Sequence, residues 1–156
     1  MPLFDEQVAR KPNHYPWTED FKKDIWAGFW TAEKFTFASD YHQFKTELTD
    51  QERQVVTNTL SAIGQIEVAV KTFWAKLGDN LPHPSLQDLG LVLAQNEVIH
   101  NDAYEKLLDR LGMNHVFEEN LKLPVIANRV KYLRKYLKKV YGDDAKKQYV
   151  YALILF

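Results

Sequence analysis

From Thr49 to Gly112 the sequence carries two long stretches of helical periodicity joined by a short turn, and this pair limits the fold more than any other feature. Thr49-Asp50-Gln51-Glu52 has the form of a capping box, in which the Thr49 hydroxyl and the Glu52 carboxylate satisfy each other's orphan backbone amides. Helical pattern continues to Leu77, where Gly78 is a natural left-handed terminator. The Pro-bracketed stretch from Gly78 to Pro84 supplies a turn, and a second helix is expected from about Pro84 to Leu111, closed by Gly112. Each helix has about 28 residues and is therefore roughly 42 Å long. Long helices joined by a short link pack antiparallel.

The flanking segments read less sharply. Residues 1–17 form an extended arm broken by Pro12 and Pro16, after which Thr18 is expected to cap a short helix through about Trp30, with Glu19 and Asp20 at its positive end. Residues 31–48 are mixed and read as irregular or short-helical. A third helix is expected from Pro124 to Gly142. Its basic stretch from Lys131 to Lys139 interleaves with Tyr132, Leu133, Tyr136 and Leu137, the pattern of a solvated helix face more than of a nucleic-acid surface. A fourth helix begins near Asp143 or Asp144 and is still running, wholly apolar, at Phe156. The sequence carries no strand signal to compete, so the fold class is all-α.

At 156 residues the chain suits one domain with a real core. A formal net charge of −1 favours neither nucleic acid nor an anionic membrane as a partner. Cysteine is absent, which excludes disulfides and thiolate chemistry and makes a reducing cytoplasm the expected location. The start has no secretion signal, and the apolar run from Tyr149 to Phe156 is far shorter than the roughly 20 residues a bilayer demands.

Polar residues on an apolar helix stripe are the informative ones, because burying an unpaired charge costs several kcal/mol. In the first long helix the stripe reads Val56, Leu60, Ile63, Glu67, Val70, Trp74; in the second, Leu86, Leu89, Leu93, Glu97, His100, Tyr104, Leu107 or Leu108, Leu111. Glu97 and His100, three apart, share a helix face, and Tyr104 lies one turn beyond His100. Reflecting Glu67 through the turn near residue 81 lands on residue 95, about half a turn from Glu97, so two carboxylates and an imidazole are expected to converge at mid-height of the hairpin. Two like charges there are relieved most simply by a bound cation. Oxygen and nitrogen ligands without sulfur suit iron or manganese better than structural zinc. Taken singly, each residue has a plainer explanation: Glu-x-x-His pairs are common on exposed helix faces, Glu67 can be a hydrogen-bonded core carboxylate, and Tyr104 and Trp30 can be core aromatics. The combination is what points to a metal. His14, His42, His83 and His115 receive no role.

Ferritin-like di-metal carboxylate proteins carry one Glu on each of two helices and Glu-x-x-His on each of two others. This protein shows one of each. It further resembles the small, radical-generating subunit of class I ribonucleotide reductase over most of its length. The resemblance runs through Pro12-Asn13-His14-Tyr15-Pro16-Trp17, Phe29-Trp30-Thr31-Ala32-Glu33, Leu48-Thr49-Asp50-Gln51-Glu52-Arg53 and Glu97-Val98-Ile99-His100-Asn101-Asp102-Ala103-Tyr104. Its most specific element is Glu-x-x-His followed four residues later by tyrosine.

The resemblance implies a ferritin-like bundle in which Glu67, Glu97 and His100 are metal ligands, Tyr104 holds the radical and Trp30 begins the electron path. It implies a dinuclear cofactor, with Fe/Fe, Mn/Fe or Mn/Mn all open. Glu67 stands where the family more often has Asp, the longer variant being found in some manganese-using or mixed-metal members. The implied activity is that of a ribonucleoside-diphosphate reductase small subunit in deoxyribonucleotide synthesis for DNA replication, acting as a homodimer with the large, catalytic subunit. The resemblance also leads us to expect that residues 1–156 are the N-terminal part of one ferritin-like domain, with the remaining ligands beyond Phe156. The alternative from another class is a ferritin-like iron-storage protein that completes its site by dimerisation; a blander one is a metal-free helical scaffold.

Overall fold

Helix boundaries follow local chemistry. The computed structural model describes residues 1–137 and 142–155 and is all-helical among them. The helices are α1 (Trp17–Ala27), α2 (Ala38–Thr46), α3 (Asp50–Ala75), α4 (Leu77–Asn80), α5 (Pro84–Leu111), α6 (Asn114–Asn120), α7 (Pro124–Arg134) and α8 (Gly142–Leu155), with 3-10 turns at Ala32–Lys34 and Lys135–Leu137. The capping box forms as expected: Glu52 Oε2 accepts from the Thr49 amide at 2.8 Å, and Thr49 Oγ1 accepts from the Glu52 amide at 3.3 Å. The Thr49 amide holds the Glu52 carboxyl below its ordinary range. At the C-terminus of α5 Gly112 takes φ +71°, and the Met113 amide bonds back to the Leu108 carbonyl at 2.9 Å.

The antiparallel register of α3 and α5 is visible in three contacts. Thr57 Oγ1 meets Met113 Sδ at 3.9 Å, Glu67 meets His100, and Trp74 and Leu77 lie against Gly90. Gly78 is not the terminator that its sequence context suggests. Lys76 ends α3, and Gly78 sits inside the single turn α4 without a positive φ. Gly90 is the glycine that the packing demands. A Cβ there would lie 2.6 Å from both the Trp74 carbonyl oxygen and Leu77 Cβ. Gly90→Ala is accordingly expected to destabilise the protein by about 1–2 kcal/mol in urea denaturation, because a backbone carbonyl cannot step aside and the overpacking outweighs alanine's better helix propensity.

The sequence reading missed α6, and that omission misplaced the buried side of α3. The buried residues there are Thr57, Ser61, Gly64, Ala69 and Phe73, whereas Val56, Leu60, Glu67, Val70 and Trp74 are half-buried and Ile63 is exposed. Residues 113–120 cover the small-residue line: Asn120 donates to Ser61 Oγ at 2.8 Å in a buried bond, and Phe117 lies over Gly64. Small residues allow the close approach, so apolarity alone pointed to the wrong stripe. On α5 the ends of the expected stripe (Leu86, Leu89, Leu108, Leu111) are buried, but Leu93, Glu97, His100, Tyr104 and Leu107 are half-buried.

Two apolar clusters grip the ends of the hairpin. One joins Phe73, Leu77, Leu81 and Leu86 to Tyr136, Tyr149 and Ala152; the other joins Phe44, Leu108, Leu111 and Met113. Each fully buried large side chain stabilises by roughly 1.5–3 kcal/mol. Between the clusters, Glu67, Glu97 and His100 stand on the facing helices.

Several smaller expectations change. The first helix ends at Ala27, not near Trp30, and Thr18 is a fully buried first-turn residue whose hydroxyl donates to the Tyr15 carbonyl at 2.8 Å; Pro16 holds the cap position. The third helix stops at Arg134, followed by the Lys135–Leu137 turn, and the stretch 138–141 before Gly142 lies outside the described residues, as does Phe156. In the basic segment Lys131 is exposed, and Lys135 lies over the rings of Tyr132 and Tyr136. On α8, Tyr149 and Ala152 are buried while Tyr151 and Ile154 are exposed, so that apolar run has one buried face. His83, given no role from sequence, is 1% exposed and anchors the N-terminal arm, with Nε2 at 3.1 Å from the Leu3 carbonyl and Nδ1 at 3.3 Å from Gln7 Oε1.

Candidate metal centre

Glu67 projects from α3 and Glu97 and His100 from α5, all toward one point. His100 Nδ1 lies 2.9 Å from Glu97 Oε2 and 3.9 Å from Glu67 Oε2, and one ligand atom from each of the three residues falls within 4.8 Å of the others. Among the described residues this is the only group of three or more such side chains close enough to hold a metal ion. The i, i+3 spacing aligns Glu97 with His100, and the hairpin register brings Glu67 across.

The electrostatics suit a cation. Burial, then the hydrogen bond and the negative charge of Glu97, push the Glu67 carboxyl from the ordinary 4.5 up to about 7. A carboxylate pair that resists double ionisation, next to an imidazole whose Nδ1 faces both, is a donor set that fits a hard or borderline divalent ion. Glu67, Glu97 and His100 would hold it. The cluster is less buried than the sequence suggests: the side chains of Glu67 and Glu97 are 15% and 14% exposed, and that of His100 is 32% exposed. The face of the hairpin bearing the ligands is half-covered, which the apolar stripes could not reveal.

A raised carboxyl pKa has a signed consequence. Between pH 4.5 and about 7 the folded protein binds more protons at Glu67 than the unfolded one, so stability without metal falls as pH rises through that window. Glu67→Gln removes the dependence. In thermal melts without metal we expect the variant to gain about 2–4 °C over the parent at pH 8 and nothing near pH 4.5. Equal gains at both pH values would contradict this.

The surroundings are aromatic. Trp30, Phe35, Phe37, Ala103, Tyr104 and Leu107, with Glu67 and His100, line a cavity of about 350 Å³. The Trp30 ring stacks on His100 with centroids 5.9 Å apart and planes 25° apart. Trp30 also meets Phe35 edge-on at 5.4 Å, and Phe35 stacks on Phe37 at 5.8 Å. Phe37 reaches the wall through a left-handed backbone, φ +52°, a costly conformation for a bulky residue. Tyr104 shares the cavity with Glu67 and His100. Burial, followed by the charges of Glu67 and Glu97, raises its phenol pKa and keeps it protonated.

All five residues singled out from the sequence therefore gather in one place. The sequence reading missed Phe35 and Phe37, which sit in a segment without periodicity, and Asn101, which donates to the Glu97 carbonyl at 2.7 Å. Asn96 Nδ2, 3.4 Å from His100 Nε2, was missed as well; its i, i+4 spacing from His100 was the available signal.

Known proteins with similar sequences share one description. A ribonucleoside-diphosphate reductase subunit beta from Halalkalibacterium halodurans is 27% identical over 97 residues, covering 62% of this protein and 28% of that one. A ribonucleoside-diphosphate reductase small chain from Arabidopsis thaliana is 24% identical over 139 residues, and one from Plasmodium falciparum is 25% identical over 142, each match covering 81% of the sequence. The matches span 40% and 38% of the length of those two relatives. The family model described as "Ribonucleotide reductase, small chain" matches residues 8–156. With a match over nearly its whole length and an all-helical fold, this protein belongs to the ribonucleotide reductase small chain family.

Proposed function

We propose that the protein acts in the small subunit of a ribonucleoside-diphosphate reductase, where Glu67, Glu97 and His100 hold part of a dinuclear metal centre and Tyr104 carries a radical. The observation that carries this reading is the Trp30 ring stacked on His100, in the same cavity as Tyr104. A site that only stored metal would gain nothing from an indole on its imidazole ligand; a site that exchanges electrons with a distant partner would.

When bound, an Fe/Fe, Mn/Fe or Mn/Mn centre supplies the oxidising power. The protein's own residues do the rest. Glu67 and Glu97 provide the negative charge that holds cations, and His100 provides nitrogen at Nδ1. Phe35, Phe37 and Leu107 line the cavity beside Tyr104, and this apolar lining would help shelter a radical formed there by loss of one electron and the hydroxyl proton. His100 and Trp30 lead electrons to and from the large, catalytic subunit. The lack of cysteine in residues 1–156 fits a division of labour in which thiol chemistry belongs to that partner. We place the protein in the cytoplasm as a homodimer built on a single ferritin-like domain; no helix among the described residues is long and apolar enough to cross a membrane.

A ferritin-like iron-storage protein that completes its site by dimerisation is the second reading, and the half-covered ligand face favours it. Electron paramagnetic resonance on the full-length protein, loaded with iron or manganese in air, separates the two. The reductase reading expects a tyrosyl radical signal. Sustained oxidation of ferrous iron with no organic radical would sink it.

A further inference from the structure

Trp30 lies outside any helix, three residues past the end of α1, so its position depends on what holds residues 29–35. Backbone bonds within that segment are local: Phe29 to Trp26, Lys34 to Thr31, Phe35 to Ala32. None ties it to the hairpin. Among the described residues, the hydrogen bonds that reach it from beyond α1 come from one side chain, Lys106 on α5, whose Nζ donates to the Ala32 carbonyl and to Glu33 Oε2, both at 3.1 Å. Ala32 is buried, and Trp30 and Phe35 touch edge-on across the 3-10 turn, so residues 30–35 form a clip with the Lys106 ammonium at its centre. Lys106 and His100 stand on the same helix, six residues apart. The lysine thus grips the clip less than two turns along the same helix from the imidazole on which the indole rests.

We propose that Lys106 is a positioning residue for Trp30, clamping the Ala32–Lys34 turn onto α5 so that the indole stays stacked on His100. The inference takes from the proposed function only the use to which Trp30 is put; the placement of the ring stands on its own geometry. The two bonds are unequal. The Glu33 side chain is 87% exposed, so its ion pair is screened by water, whereas the bond to the carbonyl of buried Ala32 is the anchor.

Acrylamide quenching of tryptophan fluorescence on the full-length protein tests this, with the Trp30 contribution taken as the difference between each protein and its Trp30→Phe counterpart. Lys106→Met keeps the apolar stem, which lies against the protein with the side chain 25% exposed, and removes the donor. It should raise quenching of Trp30 by roughly twofold as the clip opens locally. Lys106→Arg retains a cationic donor and should keep most of the protection. Glu33→Gln spares the Ala32 bond and should match the parent. Far-ultraviolet circular dichroism should show unchanged helix in all three. Quenching unchanged in Lys106→Met, or raised equally in the Trp30→Phe background, would overturn the proposal. Electron delivery by the metal-loaded protein, lost in Trp30→Phe if the role given to that residue holds, is a separate measurement, so an error about Trp30 and an error about Lys106 give different results.

Discussion

His100→Ala is expected to weaken binding of ferrous or manganous ion to the full-length protein by at least roughly 100-fold, beyond the loss typical of changing a residue that merely orients a ligand. His100 is the only nitrogen donor of the cluster, and its Nδ1 is the atom that both carboxylates face. Without it, Glu67 and Glu97 confront each other with no base between them, and the protonation already favoured at Glu67 becomes the cheaper way to relieve the repulsion. A carboxylate that keeps its proton binds metal poorly. Isothermal titration and metal analysis per protein molecule measure this directly. The plainer account of the cluster, a hydrogen-bonded group of core polar residues, predicts no metal to lose in the parent and a modest stability change in the variant. Equal metal content in parent and variant would therefore remove His100 from the ligand set.

Tyr104→Phe is expected to abolish the tyrosyl radical signal while leaving metal content within error of the parent. The substitution deletes one oxygen from a half-buried side chain that holds none of the proposed ligand atoms, so the ring keeps its place in the cavity wall. What disappears is the phenol, raised in pKa by burial and by the two carboxylate charges and thus held as a neutral hydroxyl ready to give up an electron together with its proton. Seven other tyrosines remain in the sequence, which makes the experiment specific. A radical that persists in the variant would move the role elsewhere. Tyr132 and Tyr136, whose hydroxyls are 3.2 Å apart, would be the first to test.

The ligand ladder was legible because it is local. An α-helix repeats every 3.6 residues, so Glu97, His100 and Tyr104 share a face in any structure that keeps Pro84–Leu111 helical. Pro84 at the first turn and Gly112 at the left-handed end mark the bounds of that segment locally. Glu67 was located by counting through the turn, and the count fell slightly short: α3 ends at Ala75 and α4 intervenes, so the position facing Glu67 is nearer His100 than the residue 95 found by reflection.

Other features had no local signature. The burial of α3 is decided by α6, a seven-residue helix too short to show periodicity, which selects the line Thr57, Ser61, Gly64 over the more apolar line beside it. The stack of Trp30 on His100 joins residues 70 positions apart through a segment held by Lys106 and by ring contacts. By itself the sequence determined what short-range chemistry determines: the starts of α3, α5 and α7, the stop of α5, and which side chains share a helical face. Tertiary structure alone decided how deeply those faces are covered and which aromatic ring meets the imidazole, because burial and stacking depend on partners brought from distant parts of the sequence, whose approach is set by side-chain size and not by periodicity.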